Sequence, residues 1–147
     1  MRHFKLLLFF AAFALLCGCE KPVNYDPPLP LPDVTYRNIA GNWELSQWNG
    51  EELIEGSYLY IEFDGNARRF EMWDNLGSMY VQHKTGSFTI SKDENEQYIL
   101  SGQYDNGVGD WNSSYSIEFL HNGEDMLWHT GEEGMIFSRI DEIPELN

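Results

Sequence analysis

Trp43, Trp48, Trp73, Trp111 and Trp128 are the side chains in this sequence best suited to hold a small molecule. An indole offers a broad apolar face and one N–H donor, which suits flat amphipathic ligands and sugar rings. Tyr58, Tyr60, Tyr80 and Tyr104 add further rings. Signals for catalysis are weaker. His83, His121 and His129 lie on separate segments without metal-ligand spacing, and read as solvated surface histidines. There is no Gly-x-Ser-x-Gly elbow. The 24 Asp and Glu are scattered, so no glycosidase pair stands out. Asp105-Asn106-Gly107-Val108-Gly109-Asp110 resembles a calcium loop superficially, but lacks the EF-hand spacing and its distal glutamate. It reads as a glycine-rich turn. The chemistry expected is therefore binding, not catalysis, with no metal and no cofactor.

The elements that must position these rings are strands. From Ile39 onward the apolar period is two, and turn residues recur every 8–12 residues or so, the all-β pattern. Eight strands are expected, over about 42–48, 57–63, 67–73, 79–91, 97–104, 111–120, 126–130 and 134–140. Gly86 and Gly102 fall inside two of them, where glycine often marks a bend or bulge that lets a sheet close. The fold class is all-β, an up-and-down antiparallel eight-stranded barrel. Such a barrel leaves an interior that side chains just fill, or that holds one small ligand.

In a meander, alternate loops lie at the same end. Segments 64–66, 91–96 and 121–125 are short or polar and mark the closed end. Segments 49–56, 74–78, 105–110 and 131–133 are longer on average and richer in glycine, and mark the open end. Four tryptophans then sit toward the open end, with Trp43 alone at the other. Alternation divides the rings further. Trp111 and Tyr104, with Tyr80 and Trp128, form a candidate ligand mouth. Trp48, Tyr58, Tyr60 and Trp73 fall on the outward phase and form a candidate outer stripe. Aromatics also cover pleated surfaces for purely structural reasons, which is the plainer reading of both groups.

Before the strands comes a delivery segment. Met1-Arg2-His3-Phe4-Lys5 is a basic start, and Leu6 to Leu16 is an uncharged apolar run, too short for a bilayer-spanning helix of roughly 20 residues. Leu16-Cys17-Gly18-Cys19 resembles the bacterial lipobox, with Cys17 where a small or aliphatic residue is more usual. The resemblance implies a signal peptide over 1–18, cleavage after Gly18 and acyl chains on Cys19. The alternative is an ordinary signal peptide that leaves a free thiol at Cys19. Residues 19–38 carry five prolines within eleven residues, at 22, 27, 28, 30 and 32, and read as an extended tether. Val34-Thr35-Tyr36 could instead pack along the barrel. With one cysteine removed and the other acylated, the barrel domain over 39–147 has no disulfide.

Gly41-Asn42-Trp43 resembles the glycine-x-tryptophan opening of lipocalins, and Arg139 stands where that family's last-strand arginine covers the tryptophan. The likeness spans Ile39 to Ile140 as a strand pattern, without the family's other short motifs or a C-terminal helix. It implies a barrel closed by Gly41, Trp43 and Arg139, similar to short lipocalin-like domains of Gram-negative lipoproteins. The expectation is a lipid-anchored outer-membrane protein, of unassigned membrane face, that binds a small apolar or amphipathic ligand at its open end. The alternative is a filled barrel that binds a protein or glycan through the outer stripe. A pocket of roughly 300 Å³ or more at Trp111 favours the first. Formal net charge is −15, and loss of Arg2 and Lys5 with the leader makes it two units more negative. That balance argues against nucleic acid and against electrostatic docking on anionic lipid, so the expected membrane partner acts through Cys19 alone.

Overall fold

The computed structural model describes residues 30–107, 111 and 114–146. The expected leader, Cys19 and the tether up to residue 29 lie outside the described residues, as do Val108, Gly109 and Asp110 of the glycine-rich loop.

Eight antiparallel strands close on themselves: β1 (Gly41–Trp48), β3 (Leu59–Asp64), β4 (Arg69–Asp74), β5 (Gln82–Lys92), β6 (Tyr98–Tyr104), β7 (Tyr115–Leu120), β8 (Asp125–Thr130) and β9 (Glu133–Ile140). A two-residue stub, β2 (Glu51–Glu52), folds back on the end of β1. Asn49 and Gly50 make that turn with positive φ at both positions, the hairpin geometry that Asn-Gly favours. Each barrel strand pairs with its neighbour in sequence, and β1 pairs with β9 to complete the ring. Alternation does the sorting. Ile61 and Phe63 are buried while Glu62 and Asp64 are exposed; Phe70 and Met72 are buried while Arg69 and Glu71 are exposed. Each large inner side chain removed from water contributes about 1.5–3 kcal/mol.

A single turn of helix, α1 (Tyr36–Ile39), closes one end. Thr35 caps it, its Oγ1 accepting from Asn38 N–H at 3.1 Å. Val34 and Ile39 are buried in the core, and Tyr36 Oη accepts from Ile90 N–H at 3.0 Å. Packing thus begins at Val34, inside the stretch read as tether.

Three features depart from the sequence expectations. Gly86 and Gly102 carry no bulge: the ladders run through both without a shift in register. They are glycine because interior rings lie on their backbone. A Cβ on Gly86 would stand 2.5 Å from Phe70, and one on Gly102 would stand 2.2 Å from Trp111. The bulge is instead in β1, where Leu45 opposes Phe137 and Gln47 opposes Ile136, so that Ser46 is extra. Finally, β5 starts at Gln82 and β7 at Tyr115. Gln82 already faces Asp74, the last residue of β4, so earlier residues have no strand to pair with.

Candidate functional site

Toward the closed end the barrel interior is filled. Phe63 packs edge-on to Phe88 at 4.8 Å, and Trp43 stacks with Phe119 at 6.1 Å. Trp43 and Arg139 are direct cross-strand partners, with the guanidinium carbon 4.2 Å from the indole centre. Arg139 donates from Nη1 to Ala40 O at 2.9 Å and from Nη2 to Asn38 O at 2.8 Å, and Trp43 Nε1 donates to Ile39 O at 2.8 Å. The guanidinium therefore caps the carbonyls at the end of α1 and the indole at once. Burial lowers the Arg139 pKa from its ordinary value, yet an arginine stays charged throughout the physiological range. Gly41 has φ +118°, and a Cβ there would stand 2.9 Å from Arg139 Nη1, so this position excludes a side chain on two counts.

Toward the open end the interior holds a cavity of about 400 Å³. That is within the usual range for small-molecule sites, about 300–1,000 Å³. Its apolar wall includes Leu59, Ile61, Met72 and Met135. Its aromatic wall is Trp48, Tyr104, Trp111, Tyr115, Trp128 and Phe137. Trp111 and Trp128 stack at 5.2 Å, and Tyr115 lies 5.2 Å from Trp128. Burial raises the pKa of Tyr104, with the charge of Asp74 adding to it, and burial is also the main cause of the rise at Tyr115. Both phenols are thus neutral donors near pH 7.

Two polar features stand out in this apolar space. Asp74 is only 4% exposed, yet it lines the cavity, with Lys84 Nζ 2.5 Å from its Oδ2. Both face inward by alternation, Asp74 in phase with Phe70 and Met72, Lys84 in phase with Gly86 and Phe88. Second, Trp111 Nε1 and Trp128 Nε1 are buried with no hydrogen-bond partner among the described residues. A buried donor left unpaired costs about 1–3 kcal/mol. The rings themselves pack in the core, so only their N–H groups are left without a partner.

Of the residues expected at the mouth, Tyr104, Trp111 and Trp128 come together there, and Tyr80 does not. Tyr80 lies in the loop before β5 and is 77% exposed. Trp111 reaches the interior from a loop, its backbone N–H donating to Gly102 O at 2.9 Å, and not from the strand expected to carry it. Trp48 was expected outside and is found on the cavity wall. The Ser46 bulge inverts the alternation, so Trp48 shares a face with its partner Met135, which also lines the cavity. Tyr115, Asp74 and Lys84 were not singled out from sequence, although each falls on the inward phase of its strand.

The outer stripe forms in part. Glu44, Tyr60, Trp73 and His83 are successive cross-strand partners over β1, β3, β4 and β5. Tyr60 is 9% exposed, stacks on Tyr58 at 5.4 Å and donates to Glu44 Oε1 at 3.2 Å. Trp73 lies flat against His83 at 5.0 Å, and His83 Nε2 is 3.0 Å from Glu71 Oε2. A groove of about 640 Å³ runs between Trp73 and the chain at 142–146. Another hollow, about 390 Å³, lies at Tyr98, Leu127 and His129 beside the short β6–β7 ladder. Neither places several aromatic rings around one space, as the mouth does. His121 pairs with Asp125 at 2.5 Å, apart from the other histidines. Asp105, from the glycine-rich loop, is held by Arg69 and by the Thr85 hydroxyl.

No protein-family model matches this chain, and no curated protein matches it in sequence. The geometry therefore carries the comparison: a closed eight-stranded antiparallel up-and-down barrel, consistent with a lipocalin-like fold.

Proposed function

We propose that this protein is a non-catalytic, lipid-anchored binding protein of a bacterial outer membrane, and that it holds one small apolar or amphipathic molecule in the mouth of its barrel. The observation that supports this most is the mouth cavity itself. It is large enough for a ligand and is walled by six aromatic rings. The anchor reading rests on Leu16-Cys17-Gly18-Cys19. More than one acyl chain on Cys19 would make attachment stable. The chain enters the barrel beside α1 at the closed end, so the mouth would face away from the membrane that holds the anchor.

A probe without charge tests the pocket. N-phenyl-1-naphthylamine should bind saturably at one molecule per chain, with energy transfer from tryptophan. Gly102→Val should abolish binding, because its side chain would occupy the place of Trp111. Unsaturable or unaffected binding would refute the site. Cys19→Ser should release the protein from membranes of its host; retention would refute the anchor. The competing interaction-module reading is weakened because Tyr60 is buried and one face of Trp73 is covered by His83, while Trp48, 38% exposed, also lines the cavity.

A further inference from the structure

We infer that the mouth selects ligands bearing a positively charged head, an amine or a quaternary ammonium, on a flat apolar body. This rests on the reading of the cavity as the ligand site and specifies its chemistry. Three observations converge on it.

The first is the rim. Segments 49–58, 75–81 and 131–133 contain no Lys, Arg or His. They carry Glu51, Glu52, Glu55, Glu132 and Glu133, all exposed. Hydrogen bonds tie these loops around one opening. Asn49 N–H donates to Gly134 O at 2.7 Å, and Asn49 Oδ1 accepts from Gly134 N–H at 2.9 Å. Asn75 Oδ1 accepts from Tyr58 N–H at 2.9 Å, and Asn75 Nδ2 donates to Gly56 O at 2.8 Å. Charges of one sign around a low-dielectric opening focus the field into it. Several like charges focused in this way raise the local concentration of a monovalent cation about tenfold at low salt and lower that of an anion correspondingly.

The second observation is the wall. Trp48, Tyr104, Trp111, Tyr115, Trp128 and Phe137 line the cavity, and a cation seated over the face of such a ring is attracted by its quadrupole. The third is the charge in the wall: Asp74, 4% exposed, is paired there with Lys84, so the wall supplies no net positive charge to hold an anion. Lys84 is the counterweight, since its ammonium also lines the cavity. Its contact with Asp74 makes the pair neutral overall, so it does not reverse the sign set by the rings and the rim. The pair thus favours neither sign, and an anionic head would still have to pass the five glutamates of the rim.

The test uses the mature chain and three probes with one shared body: (2-naphthylmethyl)trimethylammonium, 2-naphthaleneethanol and 2-naphthaleneacetate, titrated by calorimetry at low salt. The expected order is cation, then neutral, then anion, with the cation about tenfold tighter than the neutral probe. Equal affinities, or an anion that binds best, would overturn the charge selectivity and leave the apolar pocket standing. Failure of all three would overturn the pocket and this inference with it. Replacing Glu51, Glu52 and Glu133 by Gln changes only exposed positions, and should weaken the cation about threefold while leaving the neutral probe unchanged. An unchanged cation affinity would remove the rim from the argument. Asp74→Asn should narrow the gap between cation and neutral probe; an unchanged gap in a folded variant would contradict the role given to that carboxylate.

Discussion

Trp43 and Trp128 are both buried indoles on the inner face of one barrel, at opposite ends. Trp43 donates to Ile39 O at 2.8 Å and lies under Arg139, whose guanidinium also binds the carbonyls of Asn38 and Ala40. Trp128 Nε1 has no acceptor among the described residues, nor does Trp111 Nε1 beside it. At the closed end the indole and guanidinium donors have acceptors and rings fill the space. At the open end donors are idle, an ion pair sits in an aromatic wall and about 400 Å³ is free. The contrast separates residues kept for stability from residues that folding does not need in that form.

The largest effect should come from breaking the closed end. Trp43→Ala should cost about 3–5 kcal/mol in urea unfolding, as for other fully buried large rings. A smaller loss would mean that the end is not the structural keystone. Gly41→Ala should cost about 1–3 kcal/mol, because a side chain at φ +118° is strained. The sharpest form of the comparison is one substitution at both ends. Trp43→Phe leaves Ile39 O without its donor, whereas Trp128→Phe removes a donor that had no acceptor. The first should cost about 1–3 kcal/mol more than the second. Equal costs would dissolve the distinction drawn between the two ends.

The smallest effect concerns Asp105. Hydrogen bonds, first from Arg69 and then from Thr85, bring its pKa down from the ordinary 3.8 to about 2. A pKa lowered on folding means that the contribution is present above the unfolded value and fades as pH falls from about 4 to about 2. Asp105 is exposed, so salt screens the pair. Asp105→Asn should therefore lower Tm slightly near neutral pH, less in high salt, and not at all below about pH 2. A penalty that persists there would be steric.

The closing of the sheet was legible because the evidence for it repeats. Alternation recurs in every strand, and Gly41-Asn42-Trp43 and Arg139 fall at the first and last strands, which must meet in a ring. What escaped depends on single residues. Ser46 is an ordinary strand residue in sequence, yet as a bulge it turns Trp48 from outside to inside. Tyr80 continues an apolar stretch, but β4 has already ended at Asp74, and pairing partners cannot be read from one strand. Thr35 with Asn38 is an N-cap signal before a helix too short to show a period. Asp74 escaped as well, because the third strand was expected to stop at residue 73, whereas β4 runs one residue further and carries that carboxylate inward opposite the end of β5.

The central claim is that the open end is built to be occupied. Native mass spectrometry of the mature protein, taken gently from its own host, tests it most directly. The account predicts a reproducible added mass, one small molecule per chain beyond the acylated polypeptide, absent from Gly102→Val. Bare polypeptide in both samples, with an identical spectrum for the variant, would contradict it.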